Sequence, residues 1–163
     1  MRVLGVDPGL RTSGYAVLEQ RARQLHVIDA GVITADADLP LAQRLHQIYD
    51  DIDALIGEYG ADIMAIEQLY AHYKHPRTAI LMAHARGVFI LAAARHGIKV
   101  CDFAATRIKK SLTGSGRAGK QQMQHAVREQ LNLDQLPSPA DVADALAVAM
   151  CCINEHNREK ILT

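Results

Sequence analysis

Two short apolar runs, Val3-Leu4-Gly5-Val6 and Ile63-Met64-Ala65-Ile66, each end in a carboxylate, Asp7 and Glu67, where the chain turns away. Continuous apolar runs of this length between turn signals read as strands buried on both faces, as in a sheet covered by helices. An acid closing such a strand stands at the carboxyl edge, where open α/β sheets place their ligands. If the two strands are parallel neighbours, both acids share that edge.

The rest of the chain supplies the other layers. Arg2–Val6, followed by β-rich runs over Thr12–Leu18 and Leu25–Ile33, predicts a three-stranded antiparallel meander. Leu41, Leu45, Ile48, Ile52 and Leu55 recur at helical spacing, which predicts an amphipathic helix over Pro40–Glu58. A nearly all-apolar helix is expected over Thr78–Arg95, then a strand over Ile98–Phe103. Short helices follow around Ala104–Leu112 and Lys120–Leu131, with a last one from Pro139 to about Asn154. The expected fold is α/β, a mixed five-stranded sheet flanked by helices, in one domain over residues 1–163 with 155–163 as a flexible tail. A chain of 163 residues buries enough surface to need no disulfide or structural metal.

Charge is distributed unevenly. The chain holds 18 basic and 18 acidic residues. Residues 71–130, however, carry eleven Lys/Arg against two acids, Asp102 and Glu129, while both flanks are acidic. A basic middle reads either as a polyanion-binding surface or as solvated helix faces. Three cysteines, an odd number with Cys151 and Cys152 adjacent, form no disulfide framework and read as core thiols in a reducing compartment. Arg2 leads straight into the first apolar run without a secretory h-region, so a cytoplasmic setting is expected. The apolar stretch 78–94 is interrupted by His84 and Arg86 and reads as too short to cross a bilayer, so no membrane partner is expected.

A second pair of acids, Asp141 and Asp144, lies three residues apart and so projects from one helix face. Taken singly, three of the four acids have a ready structural alternative. Asp7 can open the Pro8-Gly9 turn, Glu67 can be a strand-end surface residue, and Asp141 suits the first turn of a helix capped by Ser138. The structural alternative is weakest for Asp144, because it lies inside an Ala/Val/Leu helix where capping contributes nothing. An unpartnered half-buried carboxylate costs several kcal/mol or titrates to neutral. A divalent cation is the expected partner.

The ordered runs Gly5-Val6-Asp7-Pro8-Gly9-Leu10-Arg11-Thr12-Ser13-Gly14-Tyr15, Ala65-Ile66-Glu67-Gln68, Ala85-Arg86-Gly87-Val88 and Asp141-Val142-Ala143-Asp144-Ala145-Leu146-Ala147 span nearly the whole chain. Together they resemble the RuvC family of Holliday-junction resolvases. The resemblance implies a ribonuclease H-like fold and a bacterial, cytoplasmic homodimer that nicks opposing strands of four-way DNA junctions in recombination and repair. It also implies a branch-migration helicase partner of the RuvA and RuvB type. Carried over by position, Asp7, Glu67, Asp141 and Asp144 are the catalytic, metal-binding acids, holding two Mg²⁺ that Mn²⁺ can replace. Lys109 and Lys120 match basic residues near the scissile phosphate. Tyr70 stands where the family usually has Phe, and Arg117 belongs to the basic loop expected to contact DNA.

Hard oxygen ligands suit Mg²⁺, and four carboxylates supply them without His or Cys. Two ions roughly 4 Å apart would activate water and steady the leaving oxygen. Tyr70 would stack on an unpaired base, a contact worth about 1–3 kcal/mol. Other motifs fail in context. Gly114-Ser115-Gly116-Arg117-Ala118-Gly119-Lys120 satisfies two phosphate-loop spacings, but Gln121 follows the lysine and a basic helix, not a strand, precedes it. His72 and His75 have no cysteine nearby to complete a zinc site. A YqgF-type ribosomal-RNA-processing nuclease and a non-catalytic junction binder are the competing readings.

Overall fold

The computed structural model describes residues 1–69 and 76–162, without the side chains of 76, 161 and 162. Five strands, β1 (Arg2–Asp7), β2 (Thr12–Arg21), β3 (Gln24–Thr34), β4 (Ile63–Glu67) and β5 (Lys99–Phe103), form one sheet in the order β3-β2-β1-β4-β5. β1, β2 and β3 pair antiparallel, while β4 joins β1, and β5 joins β4, in parallel. The antiparallel edge on a partly parallel sheet is as the sequence predicts. Strands β2 and β3 run longer than their apolar patterns, because pairing with a neighbour carries the polar ends along.

Helices α1 (Leu41–Tyr59) and α2 (Pro76–Arg95) cover one face; α3 (Ala105–Thr113), α4 (Lys120–Gln130) and α5 (Ala140–Leu162) cover the other. Strand side chains alternate between faces. Leu4, Val6, Met64 and Ile66 therefore pack with Ile48, Ile52 and Phe89 beneath α1 and α2. Val3 and Ala65 pack with Leu146, Ala149 and Met150 of α5. Buried on both sides, β1 and β4 need the unbroken apolar runs that mark them in the sequence.

Two expectations are corrected. Residues 155–162 continue α5 as helix instead of forming a tail. The cause is tertiary: Glu155 accepts from Arg107 at 2.5 Å and Asn154 donates to Ser111 at 3.2 Å, which ties the last turns of α5 to α3. The helix α2, at 20 residues, outruns the stretch 78–94. By length and mean hydropathy, 1.3 over Arg77–Arg95, it is long and apolar enough to cross a membrane. Here one stripe, Ala85, Phe89, Ala92 and Ala93, is packed against the sheet, while Ile80, Leu81 and Leu91 stay 57%, 40% and 55% exposed.

Candidate active site

Period-2 alternation decides where the strand-end acids point. Asp7 follows Val3 and Gly5, and Glu67 follows Ala65, so both face α5. The parallel register pairs Val6 with Ile66, which puts the two acids side by side at the carboxyl edge. Glu67 is held from behind: the Gln68 amide donates to the Phe103 carbonyl at 2.9 Å, and Arg86 Nε donates to the Glu67 carbonyl at 3.3 Å. Arg86 also binds Asp102.

Missing side chains bring α5 within reach. A Cβ on Gly5 would lie 2.2 Å from the Ala145 carbonyl oxygen, and one on Gly14 would lie 1.9 Å from that of Asp141. Such a helix rests directly on the β1–β2 backbone, and a glycine inside a strand is the sign of that approach. α5 begins at Ala140, so Asp141 occupies its first turn. From Val142 to Ile153 every residue is buried except Asp144, which is half-buried. Both α5 acids thereby meet the strand-end acids.

The electrostatics follow from this crowding. Burial, then the charges of Asp144, Glu67 and Asp141, push the Asp7 carboxyl up to about 7, with Lys120 pulling the other way. Burial also raises Glu67, with Asp144 adding to it and Lys109 opposing. Asp144 is raised by burial against the pull of Lys120 and Lys109, with Asp141 adding to the rise. Like charges forced together disfavour the ionised form of each. Glu67, Asp144, Lys109 and Lys120 line one cleft of about 210 Å³, floored by Ile108, Met123 and Ala147. Lys120 opens α4, where a positive charge is disfavoured by the helix dipole. The neighbouring carboxylates offset that. Among the described residues no three His, Cys, Asp or Glu side chains close into a preformed metal cage. Their common cleft and oxygen-only chemistry fit hard divalent cations all the same.

Of the residues singled out in the sequence, the fold gathers Asp7, Glu67, Asp141, Asp144, Lys109 and Lys120. Arg117 sits exposed on the α3–α4 loop, outside the cleft lining. Tyr70 lies outside the described residues. Sequence reasoning missed the backing role of Arg86 and the seating role of Gly14; glycine inside the β2 pattern was the available signal for the second.

Comparison with known proteins decides the family. The family described as "Crossover junction endodeoxyribonuclease RuvC" matches residues 3–152. The chain belongs to the RuvC family. A Rhodopirellula baltica RuvC, named as a crossover junction endodeoxyribonuclease, is 50% identical over 149 residues, which is 91% of this chain and 84% of that protein. The Thermus thermophilus RuvC structure superposes with a TM-score of 0.89 at 25% identity, covering 98% of this chain and 97% of that one. The same T. thermophilus protein in complex with a Holliday junction substrate gives 0.88 at 23% identity, covering 97% and 96%. The RuvC fold thus accounts for the whole architecture, from the mixed sheet to the helices on its two faces.

Proposed function

We propose that residues 1–163 act as one nuclease domain that resolves four-way DNA junctions by hydrolysing phosphodiester bonds on opposing strands. One observation carries this reading: Glu67 and Asp144 line one cleft with Lys109 and Lys120, and Asp7 is close enough to both acids for their charges to raise its carboxyl. The T. thermophilus RuvC complex with its Holliday junction substrate supports the choice of DNA. Asp7, on the central strand, Glu67 and the Asp141/Asp144 pair would together hold two Mg²⁺. Mn²⁺ should substitute. Bound there, the ions would supply a nucleophilic water at neutral pH and a Lewis acid for the leaving oxygen. The chain's own work is positional. β1 and α5 hold the acids on one side of the cleft; Lys109 and Lys120, opposite, orient the phosphate and offset charge gathering on it. Arg117 on its exposed loop, and Tyr70, would engage DNA beyond the cleft.

A junction with two-fold symmetry calls for paired active sites, and α2 offers the contact. Ile80, Gly87 and Leu91 fall on one stripe at helical spacing, with both large residues exposed and nothing within 4 Å of a Cβ on Gly87. A small residue between two large ones lets a second copy's helix approach. That stripe is therefore assigned to a homodimer partner and not to lipid. Acting on DNA junctions, the protein would work in the bacterial cytoplasm, beside a branch-migration helicase of the RuvA and RuvB type. Incubation in Mg²⁺ with a mobile four-way junction, a linear duplex and a structured RNA tests the reading. Cleavage of the junction alone is expected; cleavage of the RNA alone would sink it.

A further inference from the structure

Among the described residues Ser13 is the polar side chain with no exposure at all, and its hydroxyl serves one turn. It donates to the Gly9 carbonyl at 2.6 Å and accepts from the Gly9 amide at 2.9 Å. That turn begins immediately after Asp7. It is tied down twice more: Arg44 of α1 donates to the Leu10 carbonyl at 3.0 Å, and the Ala35 amide donates to the Arg11 carbonyl at 3.0 Å. Leu10 is buried with Val6, Val17 and Ile48. There is no slack, since a Cβ on Gly9 would lie 2.0 Å from the Thr12 carbonyl oxygen. Gly14, the residue after Ser13, is the cross-strand partner of Asp7 and the seat of the Asp141 backbone.

The geometry points to Ser13 as a positioning residue: its hydroxyl locks the turn that sets Asp7 against Asp141, and so sets how tightly the four acids hold divalent cations. This rests on the reading above that Asp7 and Asp141 are metal ligands. Without the hydroxyl, the half-buried Gly9 amide and carbonyl would be left without their partner, and the turn relaxes to satisfy such groups. Relaxation moves Asp7 and Gly14 together, because the turn joins their strands. A merely structural serine would lower stability and leave cation affinity alone.

Full-length Ser13→Ala and Ser13→Thr, checked as folded by circular dichroism, separate the two. The readouts are Ca²⁺ binding by calorimetry without DNA, the half-saturating Mg²⁺ for junction nicking, and junction affinity in chelator. Ser13→Ala should weaken both cation measures about tenfold, the size of a lost outer partner of a metal ligand. Junction affinity in chelator should stay within twofold. Ser13→Thr keeps the hydroxyl in a strand that suits a β-branched residue, and should restore both cation measures. Unchanged cation affinity in Ser13→Ala, or no restoration by Thr, overturns the assignment. Should Ser13→Ala fail to fold, Arg44→Gln removes the tie at Leu10 and carries the same expectation, with unchanged Ca²⁺ binding again overturning it. A wild-type chain that binds neither ion overturns the nuclease reading as well; normal wild-type binding beside an unaffected variant overturns this one alone.

Discussion

Asp144 and Asp7 carry charge where the fold resists it, and that makes opposite demands on stability and chemistry. Burial raises Asp144, and Asp7 stands at about 7. Asp144→Asn should therefore raise the melting temperature of metal-free protein, since a neutral amide is easier to bury than a carboxylate. The same change should cut junction nicking by at least about 100-fold, with binding intact, since even an outer partner of a metal ligand is worth that much. Near wild-type nicking rates in Mg²⁺ would refute the four-acid site. For Asp7 the sign follows from linkage. Its folded pKa lies above the ordinary 3.8, so between the two values the native state keeps a proton that the unfolded chain has lost. Metal-free stability should fall as pH rises from about 4 to about 7 and level off above, by a few kcal/mol at about 1.4 kcal/mol per unit. Urea midpoints at pH 5 and pH 8 measure this, and Asp7→Asn should flatten most of the difference. Glu19 and Glu155, held down by Arg21 and Arg107, and Asp53, held down by hydrogen bonds with His96 and Tyr49, lose their contributions only at lower pH. Stability that climbs between pH 5 and 8 would contradict the crowding.

α5 is the element that assembles the site, and its placement depends on what β1 and β2 lack. Gly5→Ala puts a methyl group 2.2 Å from the Ala145 carbonyl oxygen, which no side-chain rotation relieves. A destabilisation of about 1–3 kcal/mol is expected from such overpacking. Gly57→Ala, in α1 with open space around it, should instead stabilise by roughly 0.5–1 kcal/mol. Chemical denaturation of the pair reads the contrast; equal effects would mean that α5 does not rest on the strand backbone. α3 and α4 form the other wall, each with one buried stripe, Ile108 with Leu112 and Met123 with Val127. Lys109 and Lys120 are thereby turned toward the acids. The double Lys→Ala variant should flatten the salt dependence of DNA binding by about one to two counterions' worth of slope. An unchanged slope would move the phosphate contacts elsewhere.

Taken whole, the chain is neutral but polarised, and one apolar stripe of α2 is left uncovered. Both features suit a two-fold assembly laid across a polyanion. Leu91→Glu, at a position 55% exposed in the protomer, should leave folding intact and convert a dimer to a monomer by light scattering at micromolar concentration. In the monomer the paired nicks should lose their coordination, with single nicks accumulating. A wild-type chain that is stably monomeric under those conditions would leave the stripe without its assigned partner.

Much of this molecule is local. Apolar runs ended by Asp7 and Glu67, the helical spacing from Leu41 to Leu55, and an acid inside an Ala/Val/Leu helix are periodicities of 2 and 3.6 residues, which act between near neighbours in the chain. They sufficed for the sheet and its helical layers, and they marked four acids standing where acids are unusual; the common role of those acids came from the resemblance to a family. What the chain pattern could not hold was distance across the fold. That Gly14 seats Asp141, that Arg86 backs Glu67, and that Glu155 carries α5 on to Leu162 are contacts between residues 19 to 127 positions apart. The raised pKa of Asp7 is of the same kind, since the charges of Asp144 and Asp141 reach it only once α5 is packed on the sheet. Period and composition reflect what each residue does to its neighbours in sequence; which carboxylates share a cleft is decided by helix packing, and only tertiary structure sets that.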